Sequence, residues 1–312
     1  MTDPRESNQA RRLFPARDRL HPKTSPPYFD KPSSSWKEKF IAVRWGGNAL
    51  IALYISVISG IIIALQYTPA NPFYSTSTIE LIVPYGSFWR AMHYFSSQAF
   101  FLLLLLHFTA IAWDNTHYYS RFTWVRLTMS IPVAMLLLFT GYILRDDATG
   151  EAAGLIGENI TLSIPIIGGW LNSLFLAVST EGVNRVYANH LAGIMLLGAY
   201  CLWPHLRRYT TRWRDNLPLI CLVLLLSVFL ITPIEPARIG LLHIAGPWFF
   251  LGLQEALRYV HPFLAGIVLP GIVVFALLKL PHKGKQRKRY LIFIWLWLML
   301  YILLSGISYW RI

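Results

Sequence analysis

Long apolar stretches, separated by shorter polar connections, run through this chain from about residue 42 onward. A helix needs about 20 mostly apolar residues to cross the hydrocarbon core of a bilayer. The pattern predicts seven transmembrane helices, designated spans A to G in chain order: Ala42–Tyr67, Phe88–Trp113, Trp124–Leu144, Tyr187–Leu206, Leu217–Ile234, Pro262–Leu280 and Tyr290–Trp310. The predicted fold class is therefore an all-α membrane protein.

Two stretches depart from the spanning pattern. Gly154–Ser179 is amphipathic and is broken at Ile164–Gly168, which predicts a segment that lies along the membrane surface. Thr232–His261 is too long for a plain connection and contains three prolines and several aromatic residues. A loop of that length and composition indicates a functional segment.

Three predicted domains follow from these patterns. Residues 1–40 are rich in Pro, Ser, Lys and Arg and lack the apolar core of a signal peptide, so we expect a mostly disordered extension. This extension either contacts a partner or lipid surface, or is a solvated tail that only sets orientation. Residues 41–210 hold spans A to D, a predicted four-helix bundle, and residues 211–312 hold the remaining three spans.

Composition and charge fit a membrane protein. The chain is 55% hydrophobic and 14% charged, with a net charge of +13. In a soluble protein this charge would suggest a nucleic-acid partner, but 22 of the 28 Lys and Arg residues lie in, or within three residues of, the N-terminal segment and the B–C, D–E and F–G connections. Basic residues are retained on the cytoplasmic side. We therefore expect no nucleic acid, and a bacterial inner-membrane protein with a cytoplasmic N-terminus and a periplasmic C-terminus.

Spans B and D each carry two histidines at similar separations. His107 is at position i+14 from His93, and His205 is at position i+15 from His190, which corresponds to about 21–22 Å along a helix. In the predicted topology the two spans run in the same direction, so one histidine of each pair lies near each membrane surface. Imidazole inside a membrane is costly and is a common metal ligand. The four histidines predict two bis-histidine b-type haems, which suit electron transfer, with His93/His190 outer and His107/His205 inner.

Other residues near these positions fit the same interpretation. Arg90 and Arg185 precede the outer histidines and are candidate partners of haem propionates. Gly46 and Gly60, which have the same i, i+14 relation in span A, would let a flat macrocycle approach the backbone. Taken singly, a histidine near a helix end is an ordinary interfacial residue, and glycines serve helix packing. The chain contains no C-x-x-C-H sequence, so no covalent c-type haem is predicted.

Several motifs resemble cytochrome b of the quinol–cytochrome c reductase family, most closely cytochrome b6. They are W-G-G-N at 45–48, F-W-R-A-M-H at 88–93, T-W-V at 123–125, G-Y-I-L at 141–144, I-P-I-I-G at 164–168, N-R-V-Y-A-N-H at 184–190 and H-I-A-G-P-W-F-F-L at 243–251. The resemblance is strong through span D and extends over a C-terminal part similar to subunit IV.

The resemblance implies a diheme cytochrome b subunit that transfers electrons between a quinol/quinone site and partner redox subunits. The quinol form of menaquinone or ubiquinone would be oxidised between the surface segment and the E–F loop. Trp248, Phe249 and residues around Gly141–Asp147 would line that pocket. A Rieske-type iron–sulfur or multihaem c-type cytochrome subunit, membrane lipid and a second copy of the complex are the implied partners. The chain would then be the membrane subunit of a quinol oxidoreductase.

The chain departs from the family pattern at the outer quinol site. Pro247 replaces the motif glutamate that accepts a proton, and Arg145-Asp146 replaces the usual Pro-Trp. Glu255 and Asp146 are the candidate replacement proton acceptors, although each could be a solvated loop charge. His243 is a further candidate for quinone or proton contact. Two other functions stay open: a haem-bearing membrane anchor and electron conduit without an active outer quinol site, and a transporter with incidental histidines.

Overall fold

The computed structural model describes residues 36–114, 119–236, 244–280 and 284–311, without the side chains of Lys37 and Asp114. In these ranges all regular secondary structure is helical, which confirms the predicted all-α class there. Most of the predicted N-terminal extension lies outside the described residues, as does His243.

The chain divides into two units, residues 1–42 and 43–312. The described part of the first unit is helix α1, Trp36–Ala42. The second unit begins with α2 (Trp45–Ala64), α3 (Pro72–Leu81), α4 (Gly86–Asp114), α5 (Arg121–Ile143), α6 (Ala148–Leu162), α7 (Gly168–Phe175), α8 (Val178–Glu181) and α9 (Asn184–Ala188). A π turn, Asn189–Gly193, joins α9 to α10 (Ile194–Leu206). The second unit continues with a 3₁₀ turn (Trp213–Asn216), α11 (Leu217–Phe229), α12 (Leu251–Ala256), a second π turn (Leu264–Val268), α13 (Leu269–Lys279) and α14 (Lys285–Trp310).

Five helices of the described residues are long and apolar enough to cross a membrane: Trp45–Ala64, Gly86–Trp113, Arg121–Ile143, Asn184–Leu206 and Lys285–Trp310. They correspond to spans A, B, C, D and G. The helices at spans E and F are shorter, since α11 has 13 residues and Leu264–Lys279 falls in the class of shorter apolar helices. The backbone becomes extended at Leu230, and Pro233 follows, where a helix would lose a donor. Five candidate spans support a multi-pass membrane protein, and the count of seven stays a prediction.

The loop that precedes α12 inserts aromatic side chains between α4 and α5. Phe249 and Phe250 join a buried cluster with Phe101 and Leu104 of α4 and with Leu138 of α5. Burial of each large apolar side chain stabilises the fold by about 1.5–3 kcal/mol. This packing brings the loop against the middle of α4.

The corner between α5 and α6 is held by one buried carboxylate. Asp147 is the N-cap of α6 and accepts a hydrogen bond from Gly150 N at 2.9 Å, which satisfies a free donor of the first turn. Its carboxylate also accepts from Glu235 N at 3.0 Å, and Ala148 N donates to Glu235 O at 2.8 Å. The corner is therefore fixed to the segment that follows α11.

Candidate cofactor site

The structure brings the four predicted histidines together in two pairs. The ring centres of His93 and His190 are 6.4 Å apart, and those of His107 and His205 are 5.9 Å apart. Two imidazoles bound on opposite sides of one metal ion, with bonds of about 2 Å, have ring centres roughly 6 Å apart. Both pairs therefore have the separation that axial ligands of one metal require.

Hydrogen bonds set the tautomers in the His93–His190 pair. His93 Nδ1 lies 2.8 Å from Ser56 O, and a carbonyl oxygen only accepts, so Nδ1 carries the proton. His190 Nδ1 lies 2.9 Å from Thr140 Oγ1, whose own hydrogen goes to Leu136 O at 2.8 Å. His190 Nδ1 is thus also a donor. In both rings the Nε2 lone pair is left for a metal, and such bonds orient metal-binding histidines.

The His107–His205 pair borders a partly open apolar space. This space of about 670 Å³, which includes its opening, has an almost entirely apolar lining. Its lining includes both histidines together with Gly46, Leu53, Phe108, Trp124 and Leu127. His107 Nε2 is buried and has no hydrogen-bond partner among the described residues. Buried polar atoms normally have a partner, so a free ring nitrogen beside an apolar cavity fits the site of a metal-centred macrocycle.

Three glycines lie directly against the histidine rings. A Cβ atom on Gly46 would lie 2.8 Å from His107 Cε1, and one on Gly60 would lie 2.8 Å from His93 Cε1. A Cβ atom on Gly141 would lie 3.1 Å from His190 Cε1. The lack of a side chain at these positions is therefore what lets the imidazoles occupy their observed places.

The two predicted propionate partners differ in their surroundings. Arg90 is buried; its Nε donates to Glu80 Oε2 at 2.5 Å and its Nη2 donates to Thr232 O at 2.8 Å. A propionate would have to share this guanidinium with Glu80. Arg185 is partly exposed, with Nη2 at 3.4 Å from Glu181 Oε1. Their propionate roles stay predictions.

The loop 244–254 places the predicted quinone-pocket residues against α4. Trp248 is 46% exposed, and its Nε1 donates to Gln98 Oε1 at 2.8 Å. Phe249 is buried, and Tyr301 Oη donates to its backbone oxygen at 2.7 Å. Gln254 fixes the loop, because Gly246 N donates to its Oε1 at 2.8 Å and its Nε2 donates to Ile244 O at 2.7 Å.

A small gap, with room for about one water molecule, separates this loop from α6. Its lining includes Thr149, Ala153, Ile156, Gly246, Phe250 and Gln254. Phe139 of α5 stacks on Phe250, with ring centres 5.2 Å apart. The gap therefore lies between the surface helix and the loop, which is where the resemblance places quinol.

Asp146 and Glu255, the candidate proton acceptors, lie in contrasting environments. Asp146 is half-buried with a backbone φ of 51°, and burial together with the charges of Glu151 and Asp147 raises the pKa of its carboxyl. Glu255 is fully buried and lies 3.3 Å from Arg258 Nε and 3.4 Å from Arg311 Nη1. Tyr259 Oη also donates to Glu255 Oε1, at 2.9 Å. The ionised form of Asp146 is thus destabilised by its surroundings, whereas the negative charge of Glu255 is compensated by Arg258 and Arg311.

Several residues that complete these sites were not predicted from the sequence. Glu80, Ser56, Thr140, Gln98 and Gln254 all bond to a predicted site residue or to the loop that carries one. Glu80 had one signal, as a single carboxylate between the apolar residues Ile79 and Leu81 at the end of α3. The others are ordinary polar residues of apolar helices, and only their spatial neighbours distinguish them.

A family model described as Cytochrome b/b6/petB matches residues 30–206, more than half of the chain. The chain belongs to the cytochrome b family. The resemblance drawn from the motifs is thereby confirmed. The chain is a membrane protein of electron transport, and its family binds haem.

Relatives within the cytochrome b family agree with this assignment. The chain is 29% identical over 163 residues to the cytochrome b6 of Heliomicrobium gestii, covering 50% of this chain and 75% of the relative. It is 25% identical over 154 residues to the menaquinol:cytochrome c reductase cytochrome b subunit of Geobacillus thermodenitrificans, covering 47% and 69%. A chain of a hyperthermophilic respiratory Complex III has a similar fold, with a TM-score of 0.64, 21% identity, and coverage of 84% of this chain and 83% of that one.

Proposed function

We propose that this chain is the diheme cytochrome b subunit of a bacterial bc-type complex and carries electrons across the membrane between a quinone site and partner redox subunits. The observation that carries the proposal is the arrangement of four histidines in two facing pairs, each with one histidine from α4 and one from the α9–α10 helix. Their ring centres are separated by 6.4 and 5.9 Å. The spacing of His93 and His107 on α4 corresponds to about 21 Å along the helix, which would be the separation of the two sites.

His93 and His190 would hold one haem b, and His107 and His205 the other. A haem with two imidazole ligands supplies one-electron transfer, because both axial positions are filled. The chain contributes the ring orientation through Ser56 and Thr140, and an apolar environment that excludes water. Such an environment and the hydrogen bonds to the ligands are the means by which a protein tunes a haem potential.

We place the N-terminus in the cytoplasm and the His93–His190 pair near the periplasmic face of a bacterial inner membrane. The charge asymmetry of the connections supports this orientation, and with seven spans it puts the C-terminus outside. The two short apolar helices, α11 and the segment Leu264–Lys279, would then be spans E and F. The domain limits at residues 40 and 210 belong to the same proposal.

The quinone, menaquinone or ubiquinone, would bind between α6 and the loop that carries Trp248 and Phe249. The position of this loop against α6 and the name of the Geobacillus relative support this assignment. Asp146 would accept the proton, because a raised carboxyl pKa brings a base closer to the working pH. A Rieske-type or multihaem c-type subunit would exchange the electrons, in a complex that contains two copies of this chain.

A reduced-minus-oxidised optical spectrum of the purified chain or complex, with haem extraction, tests the proposal. We expect a split α band of b type and two extractable haems for each chain. A protein without this band would be evidence against haem binding, and would favour a transporter in which the histidines serve packing.

A second function is favoured by the loop itself: a haem-bearing membrane anchor and electron conduit without an active outer quinol site. Pro247 stands at the motif position and has no group that accepts a proton, while two arginines compensate Glu255. Quinol titration of haem reduction, with and without an inhibitor of the outer site, separates the two functions. Reduction that the inhibitor does not slow would support the conduit.

A further inference from the structure

The two helices that hold the histidine pairs do not space their histidines equally. His107 is at position i+14 from His93 on the uninterrupted α-helix α4, but His205 is at position i+15 from His190. In a regular α-helix one extra residue would rotate His205 by about 100° away from the direction that faces His107. Both pairs nevertheless have closely similar ring separations. One residue must therefore be absorbed between His190 and His205.

The π turn Asn189–Gly193 absorbs that residue. Ile194 N donates to Asn189 O, a bond from residue i+5 to residue i, which encloses one residue more than the α-helical bond. The segments on both sides, α9 and α10, are α-helical. The α-helix therefore resumes at Ile194 with the side chains rotated as if one residue fewer separated His190 from His205. His205 then has the same orientation relative to His190 that His107 has relative to His93.

Contacts with two neighbouring helices hold the π turn in place. Asn189 Nδ2 donates to Leu174 O of α7 at 3.0 Å and to Arg185 O of α9 at 2.9 Å. A Cβ atom on Gly193 would lie 2.6 Å from Asn189 Oδ1, so a larger residue would push this anchored side chain away. His190, within the turn, is bonded to Thr140 of α5.

We infer that the π turn Asn189–Gly193 is the device that matches the longer histidine spacing of the α9–α10 helix to the shorter spacing of α4, so that both pairs can ligate. Asn189 and Gly193 are its positioning residues. This inference rests on the proposed haem function and adds to it the feature that sets the register of the ligands.

Single-residue deletions in the full-length chain test the inference. Deletion of Ala192, an exposed residue of the turn, reduces the spacing of His190 and His205 to that of α4 and allows a regular α-helix. We expect this variant to keep both haems, with an unchanged haem-to-protein ratio and α-band splitting. The matched control is deletion of Leu102, an exposed residue between His93 and His107 on α4, where no π turn can absorb the loss. That variant rotates one ligand by about 100° and should lose one haem.

Loss of haem from the Ala192 deletion to the same extent as from the Leu102 deletion would overturn the inference, provided that the unaltered protein carries both haems. Absence of haem from the unaltered protein would instead overturn the proposed function. The two failures are therefore distinguishable from the same set of spectra.

A substitution keeps the inference testable if the Ala192 deletion does not insert into the membrane. Gly193→Ala places a methyl group against Asn189 and should shift the α band and the electron paramagnetic resonance signal of the haem at His93–His190 only. Gly198→Ala on the same helix is the control, since its nearest neighbour is Val133 Cγ1 at an ordinary 3.4 Å. Identical spectra for the two variants would contradict the role assigned to Gly193.

Discussion

The two histidine pairs have similar ring separations but different surroundings. At His93–His190 both Nδ1 atoms donate to protein oxygens, so the protein alone orients the rings. At His107–His205 one ring nitrogen is buried without a partner among the described residues, and the rings border a partly open apolar space. Helix packing thus sets the separation at both sites, whereas hydrogen bonds restrain ring rotation mainly at the first. We expect the second site to depend more on its cofactor for order.

Removal of a single ligand should have the largest effect. His93→Ala or His190→Ala should remove one haem, and His107→Ala or His205→Ala the other, because each pair lies about 21 Å from its counterpart along the helix. Haem extraction and the resolved α band measure the loss. Equal loss of both haems from a stably inserted single variant would contradict two separate sites.

The next effect concerns the glycines that face the rings. Gly46→Val and Gly60→Val should each lower occupancy of the adjacent haem strongly, because even a Cβ atom would lie 2.8 Å from a ring carbon. The equal distances predict similar losses at the two sites, despite their different surroundings. Gly271→Val is the matched control in another apolar helix, since a Cβ atom there would meet no atom within 4 Å. A loss in that control would point to a general effect on insertion.

A smaller effect should separate the two sites. Thr140→Val removes the acceptor of the His190 Nδ1 bond and should weaken haem retention at His93–His190 by about 10–100-fold, as is typical of bonds that orient a metal ligand. Thr140→Ser keeps a hydroxyl and should restore retention and the haem potential. The haem at His107–His205 serves as the internal reference. A change of similar size there would argue against a local role of Thr140.

The smallest effect should be a pH-dependent change in stability at the corner between α5 and α6. The pKa of Asp146 is raised, so the contribution of this group to stability is present below its ordinary pKa and is lost as the pH rises through the folded value. Asp146→Asn should therefore raise the thermal midpoint at neutral pH, and the gain should vanish in acid. Asparagine also tolerates the left-handed backbone at this position.

Glu158→Gln provides a control of opposite sign. Burial raises the pKa of Glu158, but hydrogen bonds from Asn172 and Ser179 outweigh this effect and hold the pKa below its usual value. Its contribution is present above the ordinary pKa and is lost in acid, so the variant should be less stable at neutral pH. The same direction of change in both variants would contradict these assignments.

The sequence by itself determined the class of fold and predicted the four histidines, their pairing and two of the three glycines that lie against their rings. A bilayer requires every backbone polar group to be satisfied within the segment, so a long apolar run implies a helix. The fixed rise and rotation per residue of that helix then give, from the sequence spacing of two histidines, their separation in depth across the membrane and the side of the helix on which each lies. These are local rules, and they identified five of the spans and the family motifs.

Only the tertiary structure decided the partners that complete each site. Arg90 bonds Glu80 and a carbonyl 142 residues away, and Trp248 bonds Gln98 across 150 residues. The π turn that corrects the register at His190 depends on Asn189 reaching a carbonyl of α7, and α11 ends earlier than its apolar pattern predicts. Spacing along one helix carries no information about such contacts, because they arise from segments that meet only when the chain has packed.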